Sequence, residues 1–304
     1  MRRALLAAVL GLALLPLSCG DDAVDGPPSP GGAGAAAGAA GSTGGAAGTP
    51  GGPECPPPGY ATDPPQQLVA SVQATLVDEQ GAAVAEVPVQ VCGLDLCLID
   101  ETSASGGVFV EADASIQQPA LKVGDGIVFA KYALPLPAET TVHDLGTVPA
   151  IRLPAAGEAG ALEAGASVAS GGVTLELASE LALFVDPLDY PEEERGFRAV
   201  EVSPERLPWL VDEALGPQAL FALSPAGATL CPAGALSVPN TLNLEPGAEV
   251  EFYLHGVRIE EEFAPYAGWA KVSDGEVTAD GAQIVTAADG GLPELGLLAV
   301  RPKE

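Results

Sequence analysis

Five cysteines and two histidines are the side chains of this 304-residue chain best equipped for chemistry. Cys92 and Cys97 lie in VQVCGLDLCLID, residues 89–100, between two runs of alternating apolar side chains. Thiols at this spacing could ligate a metal, cycle as a redox pair, or staple a hairpin. Zinc needs a tetrahedral ligand set, and no second close Cys/His pair accompanies them. A redox motif usually reads C-x-x-C beside a helix. A hairpin turning at Leu94-Asp95 sets Cys92 opposite Cys97 and Val91 opposite Leu98. The sulfurs then share the face of Gln90, behind a stripe of Val87, Val89 and Val91. That reading requires oxidising surroundings.

The remaining candidates point away from catalysis. His143 and His255 sit far apart in β-like runs, and no G-x-S-x-G, H-E-x-x-H or P-loop occurs. No enzyme is expected. Acidic clusters stand at Asp186, Asp189 and Glu192 to Glu194, and again at Glu260 to Glu262. Calcium takes about six to eight oxygens from a Gly-containing loop, and neither cluster has that spacing. They read as solvated turns, with no metal and no cofactor expected. Aromatics gather in EFYLHGVRIEEEFAPYAGWAKV, where core use is the default. Tyr266 and Trp269, if exposed together, would form a ligand-binding pair for carbohydrate or a protein partner.

The compartment is written at the N-terminus. Arg2 and Arg3 precede an apolar run from Ala4 to Leu17, too short to span a bilayer, for which roughly 20 residues are needed. Ser18-Cys19 closes the run and Gly20-Asp21-Asp22 follows. This resembles a bacterial lipoprotein signal, which implies removal of residues 1–18 and lipidation of Cys19. Pro16 and Leu17 depart from the usual residues before such a cysteine. Three acyl chains make a lasting anchor at about 0.8 kcal/mol per buried methylene. Acidic residues begin one position beyond Gly20, which leans toward the outer membrane of a Gram-negative envelope, on its periplasmic face or the cell surface. Export supplies the oxidising surroundings for Cys92–Cys97, and the remaining pair would be Cys55–Cys231.

Charge narrows the partners. The chain carries 41 acidic and 12 basic residues, a formal net charge of −29. Nucleic acid is excluded, since its phosphates demand Lys and Arg. Lying flat on an anionic membrane is disfavoured on the same grounds. Contact with the membrane is expected only through the N-terminal lipid. Any other partner would be a protein or a polysaccharide.

Residues 19–66 read as a disordered tether. Its Gly/Ala tract at 31–50 offers no large side chain to bury and so cannot offset its ordering entropy. Such a chain spans on the order of 35 Å. GAGAAA at 32–37 matches a dinucleotide-binding pattern but follows no strand and opens no βαβ unit.

Beyond it the sequence predicts an all-β protein of two tandem β-sandwich-like domains, residues 67–153 and 154–304. Twenty-nine prolines and 38 glycines punctuate short Val/Leu/Thr runs throughout. Pro88 within its run marks an edge strand. Asp274-Gly275, Asp280-Gly281 and Asp289-Gly290 mark turns. SPERLPWLVDEAL, residues 203–215, reads as a helical turn or two starting near Pro204 or Pro208. VQATLVDEQGAAVAEVPVQV followed by TSASGGVFV resembles the carboxypeptidase regulatory-like, or transthyretin-like, domain, with Asp78, Gly81, Thr102, Gly106 and Phe109 at the family's places. Ser103 stands where an Asp is common, and Gly107-Val108 adds a residue before Phe109. The resemblance implies a seven-stranded sandwich that serves as spacer, stabiliser or binding unit. The functional expectation is a non-enzymatic envelope lipoprotein in a structural or protein-interaction role. A carbohydrate-binding surface lipoprotein is the alternative, and an accessory subunit or cryptic hydrolase comes third.

Overall fold

The computed structural model describes residues 63–156, 160–208, 210, 218–259 and 263–303. The fold is all-β, and every described residue belongs to one compact unit. Seven strands build the first half: β1 (Gln66–Val77), β2 (Pro88–Cys92), β3 (Cys97–Glu101), β4 (Gly107–Gln117), β5 (Ala120–Val123), β6 (Tyr132–Pro135) and β7 (Val142–Pro149). They pair as β4-β1-β7 and β3-β2-β5-β6. Two sheets of three and four strands make the seven-stranded sandwich that the resemblance implied.

Local chemistry explains the path. Val72, Ala74 and Leu76 point inward at alternate positions of β1. Val69 is also buried, out of phase with them, because the register shifts between Val69 and Ser71. After β1, Asp78 Oδ1 accepts from the backbone of Gln80 (2.9 Å) and Ala82 (2.8 Å), and Gly81 takes φ +79°. These interactions close the turn that Asp78 and Gly81 mark in the sequence. The buried Thr102 hydroxyl donates to Val84 O (2.9 Å) and accepts from Val87 N (3.0 Å), tying the loop before β2 to the end of β3.

One edge assignment needs correction. β2 lies between β3 and β5, so Pro88 does not mark an edge strand. It is the first residue of its strand, where its missing N–H is tolerated.

The second half holds β8 (Ser167–Ser170), β9 (Val173–Glu176), β10 (Ala182–Phe184), β11 (Arg198–Val202), β12 (Ala219–Ser224), β13 (Thr229–Pro239), β14 (Glu249–His255), β15 (Trp269–Val277), β16 (Gln283–Thr286), β17 (Leu292–Glu294) and β18 (Leu297–Pro302). All belong to one antiparallel sheet with the main order β11-β12-β18-β14-β15-β16-β13-β9-β8. The sheet curls until its ends nearly meet, Ala199 N donating to Ser170 Oγ at 3.0 Å. The result is a near-barrel around Phe221, Phe252, Leu254, Leu298 and their neighbours. Of the SPERLPWLVDEAL segment, Pro204–Arg206 forms a single 3-10 turn, and Trp209 and residues 211–215 lie outside the described residues.

Of the three Asp-Gly pairs read as turns near the C-terminus, Asp280-Gly281 turns between β15 and β16, and Asp289-Gly290 precedes β17. Asp274-Gly275 does not turn, because it lies inside β15. A Cβ on Gly275 would stand 2.3 Å from Val285 O and 2.5 Å from the Phe252 ring. The glycine there serves close packing.

The halves share apolar surface. ALFALS of β12 is buried at every position. Phe221 and Leu223 face the near-barrel interior, while Leu220 and Ala222 join the sandwich core. β18 divides the same way, with Leu298 and Val300 inward and Leu297 and Ala299 toward the sandwich. Full burial of such a side chain stabilises by roughly 1.5–3 kcal/mol, so the seam holds the halves as one body.

Candidate functional site

The stapled hairpin stands at this seam. Cys92 pairs with Cys97 and Val91 with Leu98, and Cys92 and Cys97 form a disulfide with Cα atoms 4.1 Å apart. Cys92 is buried against Ala120, Ala133 and Tyr266, while Cys97 reaches solvent. The tip is held from within the sandwich. Asp95 Oδ1 accepts from Gln117 N (2.9 Å) and Oδ2 from Gln66 Nε2 (3.1 Å), while Leu94 N donates to Gln117 O (3.0 Å). Asp95 is therefore a fastener between the hairpin and the ends of β1 and β4.

Tyr266 is fully buried and Trp269 half-buried, so they present no joint exposed platform. The Tyr266 hydroxyl donates to Cys92 O (3.2 Å), Gln118 Nε2 donates to Tyr266 O (2.5 Å), and Lys122 Nζ lies 5.5 Å from the ring centroid. Trp269 Nε1 donates to Leu210 O (2.8 Å). Aromatic spacing marked this segment, but only the docking of the halves decided that it faces inward.

His255 is fully buried beside Trp269, ring centroids 4.9 Å apart. Its Nε2 lies 2.9 Å from Ala133 O on β6 of the sandwich. Burial pushes its pKa down to about 4, against the opposing pull of the Ala133 and Gly268 carbonyls. A ring so placed joins two elements and has little basicity at neutral pH. His143 is buried on β7 with Nε2 unpartnered, and burial lowers its pKa.

A second polar lock grips the Gly124–Phe129 loop. Asp125 Oδ1 accepts from the backbone of Ile127, Val128 and Phe129 and shapes it. Arg198, 2% exposed, donates to Ile127 O, to Glu194 O (3.2 Å) and to Ser224 Oγ (3.3 Å). Ser224 Oγ donates to Gly126 O (2.6 Å), and the buried Tyr190 hydroxyl donates to Ala226 O (3.1 Å). A Cβ on Gly126 would collide with the Tyr190 hydroxyl at 2.0 Å.

The acidic cluster from Asp186 to Glu194 is engaged in similar work. Asp186 Oδ1 accepts from Leu188 N (2.9 Å), Asp189 pairs with Lys131 (2.8 Å), and Glu194 with Arg198 (3.6 Å). Among the described residues no Cys, His, Asp and Glu group is arranged to hold a metal ion. Glu260 to Glu262 lie outside the described residues, as do Cys19 and Cys55. Cys231 on β13 is disulfide-bonded, and its partner also lies outside them.

Sequence reasoning passed over the exposure of Phe109. It stands on the solvent side of β4, 58% exposed, in a chain that buries most of its described aromatics. Strand alternation through Val108 and Val110, both buried, carries the signal.

No protein-family model matches this chain, and a search of curated proteins found no significant relative.

Proposed function

We propose that this chain is an exported lipoprotein, anchored through Cys19 to the outer membrane, that displays its β unit in a structural or protein-interaction role. The observation that carries the reading is the seam. Arg198, Ser224, Tyr266 and His255 all spend polar atoms on main-chain carbonyls that hold one half to the other. Such an arrangement favours a rigid displayed body. The Gly/Ala tract behind a signal ending in Ser18-Cys19 suits presentation at a distance from a membrane. The sandwich, with its Asp78 turn and Thr102 tie, suits a module of the carboxypeptidase regulatory-like kind.

Metabolic labelling with palmitate tests the anchor. The parent chain incorporates label and fractionates with outer membranes, whereas a Cys19→Ala chain takes up no label and leaves the membrane fraction. An unlabelled parent chain refutes lipid anchoring.

A further inference from the structure

We propose that the solvent face of the β4-β1-β7 sheet is a binding site for neutral polysaccharide. The site is an open depression of about 430 Å³ lined by Gln73, Thr75, Gly107, Phe109, Asp144 and Gly146, within the range of about 300–1,000 Å³ usual for small-molecule sites. Gln73 pairs with Phe109 on one side and with Asp144 on the other, so ring, amide and carboxylate stand in one row across three strands. The next row is Gly107, Thr75 and Thr147.

The depression exists because two of its positions carry no side chain. A Cβ at Gly146 would meet nothing within 4 Å, and one at Gly107 would touch only the Ser103 and Ser105 hydroxyls at 3.6 and 3.7 Å. Phe109 therefore stands exposed beside a clear floor. Among the described residues the other strongly exposed ring, Phe184, lies 5.8 Å from the Arg258 guanidinium.

The chemistry matches a pyranose. The negative face of an aromatic ring attracts the C–H face of a sugar, while sugar hydroxyls need fixed acceptors and donors at the rim. Asp144 Oδ1 accepts from Gly146 N at 2.9 Å. That bond, and then the Gln73 amide, holds its carboxyl below the usual range, so it is charged and oriented at neutral pH. A carboxylate has lone pairs left for hydroxyl donors. Gln73 and Thr75 supply the amide and hydroxyl.

Charge selects among polysaccharides. β1, β4 and β7 carry no Lys or Arg, while Glu111, Asp113 and Asp144 are exposed. On a chain of net charge −29 this face repels acidic polymers and anionic lipid. A neutral saccharide meets no such repulsion.

The inference goes beyond envelope display and does not depend on the anchor. Affinity electrophoresis of the full chain through gels holding neutral glucan, mannan or galactan, or acidic polygalacturonate, tests it. At least one neutral polymer retards the parent, and the acidic one does not. Phe109→Ala weakens retardation about tenfold, and so does Gly107→Leu, which fills the depression without touching the core. Phe184→Ala and Cys19→Ala leave it unchanged. Two results overturn the proposal: no retardation by any neutral polymer, or retardation equal in Phe109→Ala and parent. If Phe109→Ala instead abolishes capture of an envelope protein while no sugar binds, the face is a protein-docking surface and the proposal is likewise overturned.

Discussion

Arg198 and Lys271 both meet carboxylates, but in opposite settings. Arg198 sits in the seam, spending its donors on the carbonyls of Ile127 and Glu194 and on Ser224. Lys271 lies on the outside of β15, bonded to Glu251 (3.0 Å) and Asp274 (2.8 Å), and Lys303 reaches the same Asp274 at 3.2 Å. At the surface water replaces any bond that is lost, and salt screens the charges. In the seam nothing replaces it, so the carbonyls left behind keep their full desolvation cost. The same residue types are thus structural in one place and nearly neutral in the other.

The largest test of this contrast is Arg198→Ala. It strands two part-buried carbonyls and the buried Ser224 hydroxyl and lowers unfolding stability by about 3–5 kcal/mol in urea titration, since each group left unpaired costs roughly 1–3 kcal/mol. A loss below about 1 kcal/mol would mean that the seam is wet and the contrast unfounded.

His255 gives the next effect, through pH. Its folded pKa, about 4, lies below the ordinary 6.5, so the unfolded chain binds the proton more readily. Its contribution is whole above about pH 6.5 and is lost as pH falls toward 4, amounting to about 3 kcal/mol. Melting followed across that window should show the decline, and a His255→Gln chain should show a flatter acid limb.

Removing the staple with Cys92→Ala and Cys97→Ala together costs about 2 kcal/mol, because the loop it closes is short. A chemical melt of the doubly substituted chain measures this. Lys271→Ala moves the thermal midpoint by no more than roughly 2–4 °C, and less in high salt. Phe109→Ala changes stability by less than about 0.5 kcal/mol, as expected for an exposed side chain. Calorimetry of both single variants completes the ranking.

Part of this fold was legible in one dimension. Alternation gave the inward stripe of Val87, Val89 and Val91, and hairpin arithmetic gave Cys92 opposite Cys97. Asp78 and Gly81 announced their turn because an Asx side chain and a residue at positive φ do that work locally. Local signals misled where packing overruled them. Pro88 opens an interior strand, and Asp274-Gly275 runs through one because Val285 and Phe252 crowd the glycine. The aromatic cluster was visible, but its orientation was not. Tyr266 faces Cys92 across 174 residues of sequence, a distance no local pattern encodes.

The sequence by itself determined the strands, the hairpin register and the acidic surface, because each follows from side-chain type at short spacing. Only the tertiary structure decided which apolar faces meet. β12 and β18 are buried on both sides because the sandwich covers their outer face, and the sandwich core stays open until they fill it. Burial of that kind depends on surfaces distant in the chain. It therefore turned Tyr266 and His255 into fasteners and left Phe109 facing solvent.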